Sequence, residues 1–275
     1  MTRSTIRIGA LVAGAAALVA LAGCTAAPAA TDSSAADSEA VEVSWAYAGD
    51  TGPAGWGALD AEFATCGTGT RQSPIDLPAP AADDTAEEFD GAALSAVAAS
   101  GSVVDTGHTF QFVPEEAEDA ASRVEFDGDE FELLQMHVHT PSEHTVGGVP
   151  APAEFHLVHE DDDGDLLVVG VLAADGAESA AWDPFVSAVA AGGSATTELD
   201  LPALLPDDLG FAAYEGSLTT PPCSEDVQWM VLSTPVELST AQLAALTGAT
   251  PGNARPVAPL GDREIDRGAF AAAAG

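Results

Sequence analysis

Five of the chain's six histidines fall within residues 135–159, and their spacing constrains what the chain can fold into. Read at the two-residue period of a β-strand, Gln135, His137 and His139 share one face, and Met136 and Val138 share the other. The segment from Glu154 to His159 repeats the pattern, with Glu154 and His156 on one face and Phe155 and Leu157 on the other. Two adjacent antiparallel strands of this kind bring three imidazoles together, near the tetrahedral geometry that zinc prefers. His159 lies three residues after His156 and faces the opposite way, so the expected ligands are His137, His139 and His156. A single His-x-His pair is commonly an ordinary surface or core feature. Two same-face groups, each with an orienting partner in Gln135 or Glu154, point instead to a metal site.

A second metal reading competes at this stage. His137, His139 and Glu143 followed by a later histidine also have the ligand spacing of cupins. The rest of the chain has to decide.

With 275 residues and 47% hydrophobic content, the chain can bury one sizeable core or two small ones. Arg3 and Arg7 precede an apolar run from Ile8 to Ala22, which reads as a signal peptide over residues 1–23. The run is shorter than the roughly 20 apolar residues of a membrane span. Leu21-Ala22-Gly23-Cys24 resembles the lipobox of bacterial lipoproteins. Cleavage before Cys24 would leave that sulfur carrying a diacylglycerol, and two acyl chains suffice for stable anchoring. The expected location is therefore the outer face of the bacterial cell membrane, with the membrane as a partner through the lipid. Of three cysteines, this leaves Cys66 and Cys223 in a compartment that permits disulfides, and they are expected to pair.

The chain has no lysine, and its seven arginines face 44 acidic residues, for a formal net charge of −37. Nucleic acid is a poor partner for such a surface. The charge suits a saline exterior, where salt screens self-repulsion; codon bias in a GC-rich genome produces the same composition.

Residues 24–44 carry no aromatic side chain and read as a disordered tether. The folded domain is expected to run from Trp45 to residue 275. Short apolar segments broken by Gly, Pro and Asp follow, among them 102–105, 109–113, 123–126, 166–172 and 227–232. Helical periodicity is credible only around 182–191 and 240–246. The pattern is that of a mainly β domain.

Several motifs then occur together: Trp45-x-Tyr47, Gly52-Pro53-x-x-Trp56, Arg71-Gln-Ser-Pro-Ile75 and Gly107-His-Thr-Phe-Gln111. After the histidine block stand Tyr214-x-Gly-Ser-Leu-Thr-Thr-Pro-Pro222, Trp229 and Asn253-x-Arg-Pro256. In this order they resemble an α-class carbonic anhydrase of the bacterial secreted type. The Gly-Ser-Leu-Thr-Thr-Pro-Pro run is highly specific, and its occurrence beside the histidine pattern decides against a cupin.

The resemblance implies a single domain on a large, mostly antiparallel twisted central sheet with a few short helices. It implies a zinc ion (Zn2+) on His137, His139 and His156, with Gln135 and Glu154 orienting His137 and His156. The implied reaction is the reversible hydration of carbon dioxide to bicarbonate and a proton. By resemblance, the Thr219 hydroxyl links the reactive water to Glu143, and Thr219 and Thr220 line the substrate position. Val158, Val168, Leu218, Val227 and Trp229 form an apolar wall for carbon dioxide. His108 carries the proton out, His144 and Tyr214 hold hydrogen bonds beside the site, and a Cys66–Cys223 disulfide braces the loop bearing Thr219. Two positions depart from the family pattern: Thr140 stands where animal members often have Trp, and Asp105-Thr106 replaces the usual Asn-Asn before Gly107. The alternative function is a non-catalytic binding module at the cell surface. Loss of a zinc-binding histidine marks such relatives, and here all three are present.

Overall fold

Branched and aromatic residues alternating with small or polar ones favour pleated strands, with Gly, Pro and Asp ending them. The computed structural model describes residues 43–79, 88–115 and 121–272. The expected signal peptide, Cys24 and all but the last two residues of the expected tether lie outside the described residues.

In chain order the described strands are β1 (Asp76–Leu77), β2 (Glu88–Ser95), β3 (Ala98–Asp105), β4 (Phe110–Pro114), β5 (Arg123–Phe126), β6 (Asp129–His139), β7 (Thr145–Val146) and β8 (Val149–Pro150). They continue with β9 (Ala153–Glu160), β10 (Leu166–Asp175), β11 (Ser194–Asp200), β12 (Gly210–Ser217), β13 (Glu225–Leu232), β14 (Val236–Leu238) and β15 (Asp266–Ala272). Strands β1, β7 and β8 form a small sheet, and the other twelve form one large sheet. Most of its pairings are antiparallel, but β13 and β14 both run parallel to β10, and β15 runs parallel to β2. The sheet is therefore mixed.

The helices are short: α1 (Trp56–Leu59), α2 (Thr65–Thr68), α3 (Asp183–Ala190), α4 (Leu201–Leu204) and α5 (Thr240–Ala249). Both segments with helical periodicity form helices. At the start of α5, the Ser239 side chain accepts from the Gln242 backbone N–H while the Gln242 side chain accepts from that of Ser239.

Strand alternation divides the core. Leu167, Val169 and Val171 of β10 pack into a large cluster with Met136, Val138, Phe155 and Leu157, against which α3 and α5 lie. Val168 and Leu172 enter a second cluster with Val158, Val227 and Trp229. Each large apolar side chain so buried contributes about 1.5–3 kcal/mol. The histidine face of β6 and β9 is held on the side of this second cluster.

Candidate metal centre

β6 and β9 are antiparallel neighbours in which His137 lies directly opposite His156, and His139 opposite Glu154. The three expected imidazoles meet, with ring centroids 4.9 Å (His137–His139), 5.0 Å (His137–His156) and 4.6 Å (His139–His156) apart. A register shift between Leu133 and Gln135 breaks the ladder just before the ligands. His159, on the other face of β9, is fully buried opposite Leu133 and Leu167.

Hydrogen bonding decides which ring nitrogen of each imidazole is free. Nδ1 of His137 lies 2.9 Å from Oε1 of Gln135, and Nδ1 of His139 lies 2.6 Å from the backbone carbonyl of Asn253. Both oxygens only accept, so each Nδ1 carries the proton and each Nε2 keeps a lone pair. Nε2 of His156 sits 3.0 Å from Oε1 of Glu154, although the ring is turned off the ideal hydrogen-bond line. That contact places the His156 proton on Nε2 and frees Nδ1, which stands 3.3 Å from Nε2 of His137. Two nitrogens on a tetrahedral zinc, each at about 2.0–2.1 Å from it, would be about 3.4 Å apart.

Electrostatics agree with this assignment. Burial holds His137 well below the usual imidazole range, pulls His139 down to about 4, and lowers His156. All three are neutral near pH 7, as metal ligation requires. Nε2 of His139 and Oε2 of Glu143 are buried without a hydrogen-bond partner, 3.5 Å from each other. A buried imidazole nitrogen left in this state is costly, and a cation on the His139 lone pair would satisfy it. The donor set fits zinc.

His144, Glu154 and His156 also cluster within ligand distance. Their atoms are already committed. Oε2 of Glu154 accepts from the backbone N–H groups of Glu143 and His144, each at 2.8 Å, and Oε1 accepts from Nδ1 of His144 at 2.7 Å. Nε2 of His144 in turn lies 2.7 Å from the Tyr214 hydroxyl, and that oxygen lies 2.8 Å from Oγ of Ser73. The chain of donors runs Ser73, Tyr214, His144, Glu154. It holds Glu154 well below the usual carboxylate range although burial alone would raise it, with the His144 and His156 contacts supplying the stabilisation. Gly170 makes room for this carboxylate. A Cβ there would stand 3.1 Å from Oε1 of Glu154 and 3.3 Å from Val231.

Glu143 approaches from the loop after β6. Its Oε1 accepts from the Arg255 backbone N–H at 2.8 Å, and Oε2 lies 3.5 Å from Nε2 of His139 and 4.0 Å from Nδ1 of His156. Burial pushes its carboxyl up to about 7, against the opposing pull of His156, the Thr219 side chain and the Arg255 N–H. Thr219 is thus beside Glu143, and Thr220 adjoins it, half-buried.

A model of the eukaryotic-type carbonic anhydrase family matches residues 51–268. The chain belongs to the carbonic anhydrases. It is 38% identical over 233 residues to a carbonic anhydrase of Nostoc sp., covering 81% of this chain and 85% of that protein. It is also 38% identical over 228 residues to one of Klebsiella pneumoniae, covering 80% of this chain and 89% of that protein. The solved structure of an α-carbonic anhydrase from Thermovibrio ammonificans, in complex with the inhibitor sulfanilamide, superposes with a TM-score of 0.70 at 36% identity. That match covers 81% of this chain and 98% of the other.

The other residues singled out in the sequence lie on several elements. Val158, Val168, Val227 and Trp229 share one buried cluster, with Leu218 packed against it. Cys66 and Cys223 form a disulfide across 157 residues of chain. The Cys223 N–H donates to the Thr220 carbonyl at 2.9 Å, so the bridge tethers the turn that follows Thr219. His108 sits in the turn between β3 and β4, its ring stacked on Trp45 at 3.6 Å and its Nε2 3.0 Å from the Trp45 carbonyl. That carbonyl only accepts, so Nε2 carries the proton and Nδ1 is the free acceptor. In the altered stretch before it, Asp105 accepts from the Gly107 N–H at 2.8 Å, and Thr106 closes the turn onto the Thr109 carbonyl.

The sequence names Asn253 and Arg255 only as parts of a motif, without roles. The structure gives both one: the Asn253 carbonyl orients His139, and the Arg255 N–H holds Glu143. Both act through the main chain, from more than 100 residues away, and no pattern of side chains announces such a contact. Gly170 is equally silent in sequence.

Proposed function

We propose that the chain catalyses the reversible hydration of carbon dioxide to bicarbonate and a proton at a zinc ion held by Nε2 of His137, Nε2 of His139 and Nδ1 of His156. The observation that carries this is the convergence of three lone pairs, each left free because the other ring nitrogen lies against an acceptor oxygen. Zinc bound there supplies a Lewis acid that makes water acidic enough to ionise near neutral pH, an effect for which carbonic anhydrases are the reference case.

The chain's own side chains do the rest. Glu143 as a carboxylate can only accept, so it draws the Thr219 hydroxyl proton toward itself. Thr219 then has a lone pair to accept from, and so to aim, the reactive water. A dication beside Glu143 favours this ionised form. The Thr219 N–H and Thr220 border the substrate position, and the wall of Val158, Val168, Leu218, Val227 and Trp229 suits an apolar gas. His108 takes the proton away, since histidine is the side chain that exchanges protons near neutral pH. Gln135 and Glu154 keep the ligand rings in place.

The test is carbon dioxide hydration by the purified domain, followed by stopped flow. Activity should disappear on zinc chelation, return with added zinc, and be blocked by sulfanilamide. A domain that holds zinc without accelerating hydration is a binding module instead.

The same reading extends to location. Arg3, Arg7, the apolar run and the sequence before Cys24 support export, removal of residues 1–23 and acylation of Cys24. Residues 24–44 would then tether a domain of residues 45–275 to the outer membrane face. Intact mass of the mature protein should show a diacylglyceryl group on residue 24. An unmodified amino terminus upstream of Cys24 would refute it.

A further inference from the structure

Asn253 is almost wholly buried, and its side-chain amide and main-chain carbonyl are all hydrogen-bonded. Its Nδ2 donates to the backbone carbonyls of His108 at 3.2 Å and Val138 at 2.9 Å. Its Oδ1 accepts from the Thr140 N–H at 2.8 Å, and its own carbonyl accepts from Nδ1 of His139 at 2.6 Å. Only this orientation of the amide matches donors to acceptors.

The side chain thus bonds the residues on either side of His139 and, with the same NH2 group, the main chain of His108. The turn is also held by Thr106 on the Thr109 carbonyl and by the His108 ring stacked on Trp45, but neither contact reaches β6. Asp105, Thr106 and Gly107 are exposed, and an open cavity of about 420 Å³, lined among others by Trp45, His108, Thr109, Pro251 and Asn253, adjoins the turn. Two links run parallel to that of Asn253: the Thr109 hydroxyl donates to the same Val138 carbonyl at 2.5 Å, and β4 pairs with β6 at Gln111 and Phe112.

We propose that the Asn253 side chain is the positioning residue that fixes the His108 turn to the end of β6 bearing His139, so that proton carrier and metal ligand keep a set separation. This deepens the proposed function and rests on its reading of His108. The division of labour within Asn253 is specific: its main-chain carbonyl orients a ligand, while its side chain orients the carrier. Replacing the side chain should therefore affect proton export more than metal binding.

The experiment compares Asn253→Ala with wild type and with His108→Ala. In metal-free protein, amide hydrogen exchange over residues 105–110 should rise at least about fivefold, as expected for a lost hydrogen bond, with β9 and β10 unchanged. In the zinc-loaded enzyme, kcat in dilute, non-shuttling buffer should fall by a similar factor, and by clearly more than kcat/KM for hydration or zinc affinity. Added imidazole should restore kcat.

Unchanged exchange over 105–110, or kcat, kcat/KM and zinc affinity falling together, overturns the proposal. If Asn253→Ala does not fold, Asn253→Asp, which keeps the acceptor for the Thr140 N–H but loses the NH2 donor to His108 and Val138, must show the same split between kcat and kcat/KM, or the clamp is refuted. His108→Ala separates the two claims. Full turnover there refutes His108 as carrier, while exchange in the metal-free variant still reports on the clamp.

Discussion

His137 and His156 face each other across the β6–β9 ladder, with Nε2 of the first 3.3 Å from Nδ1 of the second. One histidine offers its outer nitrogen and the other its inner one. The difference follows from what stands behind each ring: Gln135 accepts from Nδ1 of His137, whereas Glu154 lies against Nε2 of His156. The orienting residues thus set which nitrogen is available as well as where the ring lies.

Removing Gln135 is the mildest test of this. Gln135→Ala leaves the ligands and their strands intact but frees the His137 ring and its tautomer. Zinc affinity, measured by competition with a chelator, should weaken about 10–100-fold. Affinity equal to wild type would show that strand geometry alone orients the ring.

His159 predicts an acid limit on stability. Neither of its nitrogens has a well-aligned partner, and burial pulls it down to about 4, with the Leu157 and Leu167 backbone only softening the effect. In the unfolded chain it protonates near pH 6.5, so from there down to about pH 4 the unfolded state binds a proton that the folded state refuses. Stability from this residue is full above pH 6.5 and falls by about 3 kcal/mol by pH 4. His159→Leu should flatten the pH dependence of chemical unfolding over that window, with zinc binding retained. An unchanged slope would contradict it.

The disulfide closes a loop of 157 residues between α2 and the turn after Thr219. On loop-closure entropy it stabilises the fold by up to about 5 kcal/mol. Cys66→Ser with Cys223→Ser should lower Tm by several degrees and make it insensitive to reductant, whereas wild type should melt lower once reduced. Equal melting of both forms would leave the bridge without a role in stability.

Much of this was legible in the chain because alternation in a strand is a local rule. It places Gln135, His137, His139, Glu154 and His156 on one face, sends His159 to the other, and finds α3 and α5 by their period. Glu143 and Thr219 lie in loops, where no period applies, and only the family motif picked them out. Asn253, Arg255 and Gly170 escaped because their contributions are a carbonyl, an N–H and an absent side chain. The parallel pairing of β10 with β13 and β14 was not foreseen either, since strand partners far apart in sequence leave no mark on local pattern.

The central claim is that His137, His139 and His156 hold one zinc ion. Zinc content per chain, measured on purified wild type, His137→Ala and His159→Ala, tests it most directly. The account predicts one zinc in wild type and in His159→Ala, and loss of most zinc and nearly all hydration activity in His137→Ala. Full zinc occupancy in His137→Ala would contradict it.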